Sequence, residues 1–144
     1  MTKLLFEKIT ANAIIPKKAY PGDAGYDLAS TIDLTLESGQ WRAIPTGLAI
    51  GIPAGHEGQI HPRSGLANNR GIGVVNAPGT IDHGFTSEVN VIIINHGKDP
   101  FHIRVGDRIA QLVVARLPDL EVEVVERLPE SERGARGLGP SGVS

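Results

Sequence analysis

Short β-branched runs cut off by glycine and proline constrain this chain more than any other feature. WRAIPTGLAIGI, VNVIIIN and IAQLVVARL are each bounded by Gly, Pro, Asn or Asp, as expected of strands buried more fully than on one face. TIDLTLE sets Ile32, Leu34 and Leu36 against Thr31, Asp33 and Thr35, the period-two alternation of a half-buried strand. EVEVVE at 121–126 reads the same way. No long segment carries a 3.6-residue period, and the one helix expected is a short turn around Leu66 to Arg70. The 18 glycines and 10 prolines fall between the apolar runs as turn residues. Many short strands joined by such turns make an all-β sandwich, barrel or jelly roll.

At 144 residues the chain suits one core, which buries roughly two-thirds of the surface its unfolded chain exposes. Composition changes near Leu128. From Pro129 to Ser144 the chain reads PESERGARGLGPSGVS, with too few apolar residues to anchor itself. The expected organisation is therefore a β domain over 1–128 and a flexible, glycine-rich C-terminal arm over 129–144, with a frayed terminus as the plain alternative.

Composition also removes function classes. Zero cysteines exclude thiolate nucleophiles, disulfides and cysteine-ligated zinc. A net charge of -2 and 4% aromatic residues argue against a nucleic-acid polymer as partner, which needs a basic face or stacking platforms. No apolar run approaches the roughly 20 residues of a bilayer span. The first 18 residues break their apolar stretch with Glu7, Thr10 and Asn12, unlike a signal peptide, so a cytoplasmic location is expected. The five histidines lack metal-ligand spacing and are assigned no chemistry. Lys17 and Lys18 lack the glycine-rich loop of a P-loop site.

Five polar, glycine-containing segments remain: DAGYDLAS (23–30), PRSGLA (62–67), GTIDHGF (79–85), GDRIAQL (106–112) and RGARGLGPSG (133–142). Arg63 offers a planar fork for phosphate oxygens, Ser64 a hydroxyl, and Gly65 close backbone approach, although by itself the segment reads more simply as a turn with a surface arginine. Gln111 offers an amide donor on a strand. Asp23 and Asp27 either cap turns or hold hydrated magnesium, and turn capping suits Asp23. Asp107 and Arg108 read as structural, a turn and a surface or interface ion pair.

Taken in order, the five segments resemble the motifs of the trimeric deoxyuridine triphosphatases, from about Asp23 to Gly142. The resemblance implies a jelly-roll-like homotrimer with shared active sites that hydrolyses dUTP to dUMP and pyrophosphate with Mg2+. It implies that Arg63, Ser64, Gly65 and Gln111 grip the triphosphate, and that Asp27 contacts the hydrated ion through water. Asp82 matches the carboxylate that activates water for attack on the α-phosphorus. Phe85 stands in place of the usual tyrosine against the deoxyribose, and Asn76 lies in the hairpin that reads uracil. In the arm, Arg133, Gly139 and Ser141 match phosphate contacts. Leu138 replaces the base-covering aromatic, Arg136 a glycine, and Pro140 and Ser141 a serine and threonine. Two alternatives accompany this reading: a deoxycytidine triphosphate deaminase of the same superfamily, which uses a glutamate at the catalytic position, and a non-catalytic regulatory jelly-roll module.

Overall fold

The structure, a computed structural model, describes all of residues 1–144. Its elements follow in the order β1 (Leu5–Lys8), β2 (Gly25–Ala29), β3 (Leu34–Leu36), β4 (Trp41–Gly51), β5 (His56–His61), α1 (Ser64–Arg70), β6 (Ile72–Val74), β7 (Gly79–Ile81), β8 (Glu88–Asn95), β9 (Phe101–Ile103) and β10 (Arg108–Arg116). One four-stranded sheet runs β1-β4-β8-β6 and the other β2-β10-β5-β7, with β3 and β9 forming a separate ribbon. All pairings are antiparallel. The all-β class expected from the punctuated runs is observed, in the jelly-roll-like form that the resemblance implies.

Both sheets feed one apolar cluster of 19 buried residues, among them Ile44, Leu48 and Ile93 from the first sheet and Leu28, Ile60 and Leu112 from the second. In β8, Val89, Val91 and Ile93 are buried and Asn95 extends their row, fully buried. Its amide donates to Leu36 O and Asp99 O, both at 2.9 Å, and its oxygen accepts the Gly97 N–H at 2.9 Å, so no polar atom there is stranded. Pro45 sits inside β4, an interior strand where a missing N–H is costly. The register against β8 shifts between Pro45 and Ala49, which is where a strand tolerates proline. The helix ends at Gly71, whose φ of 68° is the left-handed conformation that glycine adopts without a Cβ penalty. This seven-residue α1 is the only helix, and no helix is long and apolar enough to cross a membrane.

One expected strand does not form. After β10 the Leu117 N–H bonds Gly55 O at 2.9 Å, and then 121–126 runs without a ladder partner. Val122 and Val124 are 91% and 95% exposed. Alternation predicts which face a strand would bury, but a strand exists only where a neighbouring edge takes up its N–H and C=O groups.

Candidate active site

Three strands of the second sheet carry a polar row. Asp27 on β2, Gln111 on β10 and His61 on β5 are Cα partners across the ladder, so their side chains project from one face. Leu28, Ala110, Leu112 and Ile60 fill the opposite, buried face. Arg63 follows β5 in an extended conformation, φ −88° and ψ 127°, immediately before α1 begins. Its Nη1 donates to Arg108 O at 3.0 Å, and its Nε lies 3.8 Å from Asp27 Oδ1. Arg108 Nη1 donates to Asp27 Oδ2 at 3.1 Å. The Gln111 Nε2 donates to Pro62 O at 3.1 Å. Ser64 and Gly65 open α1, and nothing lies within 4 Å of the position a Cβ on Gly65 would take, so a ligand can approach that backbone. Residues from DAGYDLAS, PRSGLA and GDRIAQL thus converge, bringing two guanidinium forks and an amide, groups able to donate to an anion, to one face of the sheet.

A second group gathers on the β6–β7 hairpin and the turn after it. Asn76 lies between β6 and β7, its Nδ2 3.0 Å from the Cβ position of Gly79. Asn76 and Phe85 both line a cavity of about 100 Å3 whose floor includes Ile81 and Val91. The turn from Asp82 to Phe85 is closed by the Phe85 N–H donating to Asp82 O at 3.0 Å, and His83 Nδ1 anchors it to Ile52 O at 2.6 Å. Asp82 is exposed and takes part in neither of the chain's two ion pairs, both of which end on Asp27. Phe85 is 41% exposed, an aromatic face held at the surface.

Within one chain the two groups stay apart. Gln111 pairs with His61, whereas Ile81 pairs with Gly58. Asp82 therefore sits roughly 13 Å along the strand direction and roughly 10 Å across it from Gln111, by ordinary strand dimensions. The arm joins neither group. Arg133, Leu138, Gly139 and Ser141 are exposed, and hydrogen bonds in this segment stay inside it: Arg133 Nε donates to Arg136 O at 3.0 Å and Arg136 Nε to Arg133 O at 2.8 Å.

No cluster of three His, Asp or Glu residues could hold a metal. The polar row has a single carboxylate, Asp27, with guanidinium groups facing both its oxygens. Such a donor set fits a hydrated divalent cation that arrives on phosphate oxygens, and does not fit one bound by protein ligands alone.

Sequence reasoning placed Arg63, Ser64, Gly65, Gln111 and Asp27 in one functional group, and the fold brings them together. The turn reading of Asp23 holds, since its Oδ2 accepts the Tyr20 N–H at 2.9 Å. Arg108 does make an ion pair, as expected, but within the site. His61 was assigned no chemistry, yet it occupies the row beside Gln111 with its Nε2 2.8 Å from Gln59 Oε1. Its strand parity was the available signal, because β5 buries Gly58 and Ile60 and so turns His61 outward.

The chain matches known proteins over nearly all its length. A family model described as dUTPase covers residues 11–142. The deoxyuridine 5'-triphosphate nucleotidohydrolase of Anaeromyxobacter sp. (strain Fw109-5) is 49% identical over 128 residues, 89% of this chain and 87% of that protein. That of Gloeothece citriformis (strain PCC 7424) is 44% identical over 142 residues, covering 99% and 98%. Among solved structures, the Staphylococcus bacteriophage 80alpha dUTPase with dUpNHpp superposes with a TM-score of 0.90 at 28% identity, over 98% of this chain and 99% of that one. A variant of the dUTPase from phage phi11 of S. aureus, described with a structural Mg(II) ion, superposes with a TM-score of 0.81 at 25% identity, over 87% and 97%. With this family match spanning the five polar segments and the fold that carries them, the chain belongs to the dUTPase family of dUTP diphosphatases.

Proposed function

We propose that the chain hydrolyses dUTP to dUMP and pyrophosphate in a site completed between three protomers. The observation that carries this is the separation within one chain: the phosphate-binding row and Asp82 are too far apart to share one α-phosphorus, and the arm reaches neither. A homotrimer in which one protomer supplies the row, a second the Asp82 hairpin and a third the arm removes the conflict. The exposed Leu120, Val122 and Val124 support it, being apolar surface that a neighbouring protomer would cover. The analogue-bound phage relative supports dUTP as the substrate.

In this reading the Arg63 fork, Ser64 hydroxyl, open backbone at Gly65 and Gln111 amide hold the triphosphate. The hairpin around Asn76 reads uracil largely through main-chain groups, and the Phe85 ring fills the space of a 2′-hydroxyl. The Asp82 carboxylate accepts a proton from a water aligned on the α-phosphorus and hydrogen-bonds the sugar 3′-hydroxyl. As the water oxygen bonds to phosphorus, the bond to the oxygen bridging the α- and β-phosphates breaks, and pyrophosphate leaves with that electron pair. Residues 1–128 form the β domain. The arm, 129–144, closes through Arg133, Gly139 and Ser141, with Leu138 as apolar cover for the base. A Mg2+ held through water by Asp27 would offset charge on the phosphates.

The test is pyrophosphate release from dUTP, dTTP, dCTP and UTP, paired with sedimentation equilibrium. Release from dUTP alone by a trimer is the expected result. Comparable turnover of dTTP defeats the substrate assignment, ammonia released from dCTP favours the deaminase, and a stable active monomer defeats the shared site.

A further inference from the structure

Arg108 faces Asp27 because β10 is bulged. In a regular strand Arg108 would share the inward side of Ala110 and Leu112. The pairing with β2 instead shifts register between Arg108 and Ala110, so Ile109 and Ala110 both enter the core and Arg108 turns out. Its guanidinium meets Asp27 Oδ2 at 3.1 Å while Arg63 Nε stands 3.8 Å from Oδ1. Arg63 also fixes the backbone of its partner, donating to Arg108 O at 3.0 Å. On the sheet edge beside them, Lys17, Lys18, Asp27 and Arg108 line a cavity of about 320 Å3, in which Asp27 is the one anion. A carboxylate beside a bound triphosphate is electrostatically unfavourable unless some cation compensates it.

We propose that Arg108 is a positioning residue that acts as a built-in counter-cation for Asp27, and so lowers the dependence of triphosphate binding on a divalent ion. The proposal rests on the reading of this row as the triphosphate site. Without a divalent ion, Arg108 shields the nucleotide from the Asp27 charge; with the ion bound, part of that shielding is duplicated. The affinities of nucleotide and ion are linked, so the quantity to measure is the ratio of Kd for the nucleotide without ion to Kd with it.

The experiment is calorimetric titration of the full-length protein with the non-hydrolysable analogue dUpNHpp, in EDTA and in saturating Mg2+. In Arg108→Gln the ratio is expected to rise about two- to fivefold over wild type, the size of a half-exposed ion pair. Arg108→Lys keeps the charge and should keep the wild-type ratio, which also separates the effect from misfolding. In Asp27→Asn the ratio should fall, and adding Arg108→Gln to it should change nothing further. An Arg108→Gln protein that loses affinity equally in both conditions overturns the proposal, because Arg108 is then only structural. A rise that persists in the double variant also overturns it, since Arg108 then acts through some other group. If Asp27→Asn alone leaves the ratio at its wild-type value, the assignment of Asp27 to the ion fails. If wild type does not bind the analogue, the functional reading itself fails.

Discussion

The carboxamide of Gln111 fills the space that a Cβ on Gly25 would occupy: its Cδ lies 2.9 Å and its Cβ 3.1 Å from that position. Gly25 pairs with Val113, one outward position along β2 from Asp27. The missing side chain is what allows Gln111 to lean across β2 while its Nε2 bonds Pro62 O. In Gly25→Ala the far end of a flexible side chain must give way, so the fold should survive with a small change in Tm. Gln111 should be displaced, and kcat/KM for dUTP should fall on the order of 10²-fold, as for other small misplacements of a positioning group. In a double-mutant cycle with Gln111→Ala the two losses should not add. Additive losses would mean that Gly25 acts elsewhere.

Asp82→Asn keeps the size of the side chain and its acceptor oxygen while removing the base. Turnover should drop about 10²- to 10⁴-fold, with dUpNHpp affinity changed far less. Single-turnover kinetics beside equilibrium titration separate the two quantities. Near-wild-type turnover would assign the proton acceptor to another group.

Phe85→Ala removes the ring proposed to exclude the 2′-hydroxyl. Because Phe85 is 41% exposed, thermal stability should change little. The ratio of kcat/KM for UTP to that for dUTP should rise. An unchanged ratio would show that the ring does not select the sugar.

Deletion of residues 129–144 should leave the β domain folded and trimeric, since these residues are exposed and make no hydrogen bond to it. Activity should nevertheless collapse, because the arm is proposed to exclude water and align the triphosphate. Ordering it costs roughly 1–2 kcal/mol per residue in backbone entropy, so closure should require the triphosphate and be weak with dUMP. Protease protection of the arm by dUpNHpp but not dUMP would support this. Unchanged turnover after deletion would leave the arm as a frayed end.

From sequence alone the class of fold was legible, and so were the residues able to hold phosphate. β-branched runs, period-two alternation and turn residues are local properties, and they located β3, β4, β8 and β10 and the short α1. An arginine fork, an amide and a glycine keep their chemistry wherever the chain puts them, but that chemistry fits a surface turn equally well, and it is the ordered resemblance of the five segments that singles out Arg63, Gly65 and Gln111. Tertiary structure decided which strands lie side by side, and hence that Asp27, Gln111 and His61 form one row while Asp82 lies beyond reach of it. It decided that 121–126 finds no edge to pair with, and that the slip between Arg108 and Ala110 reverses the side on which Arg108 emerges. The physical reason is common to all three. Pairing and register come from the packing of distant segments against one core, and a single inserted residue changes the face of a side chain without altering the local pattern that sequence reading uses.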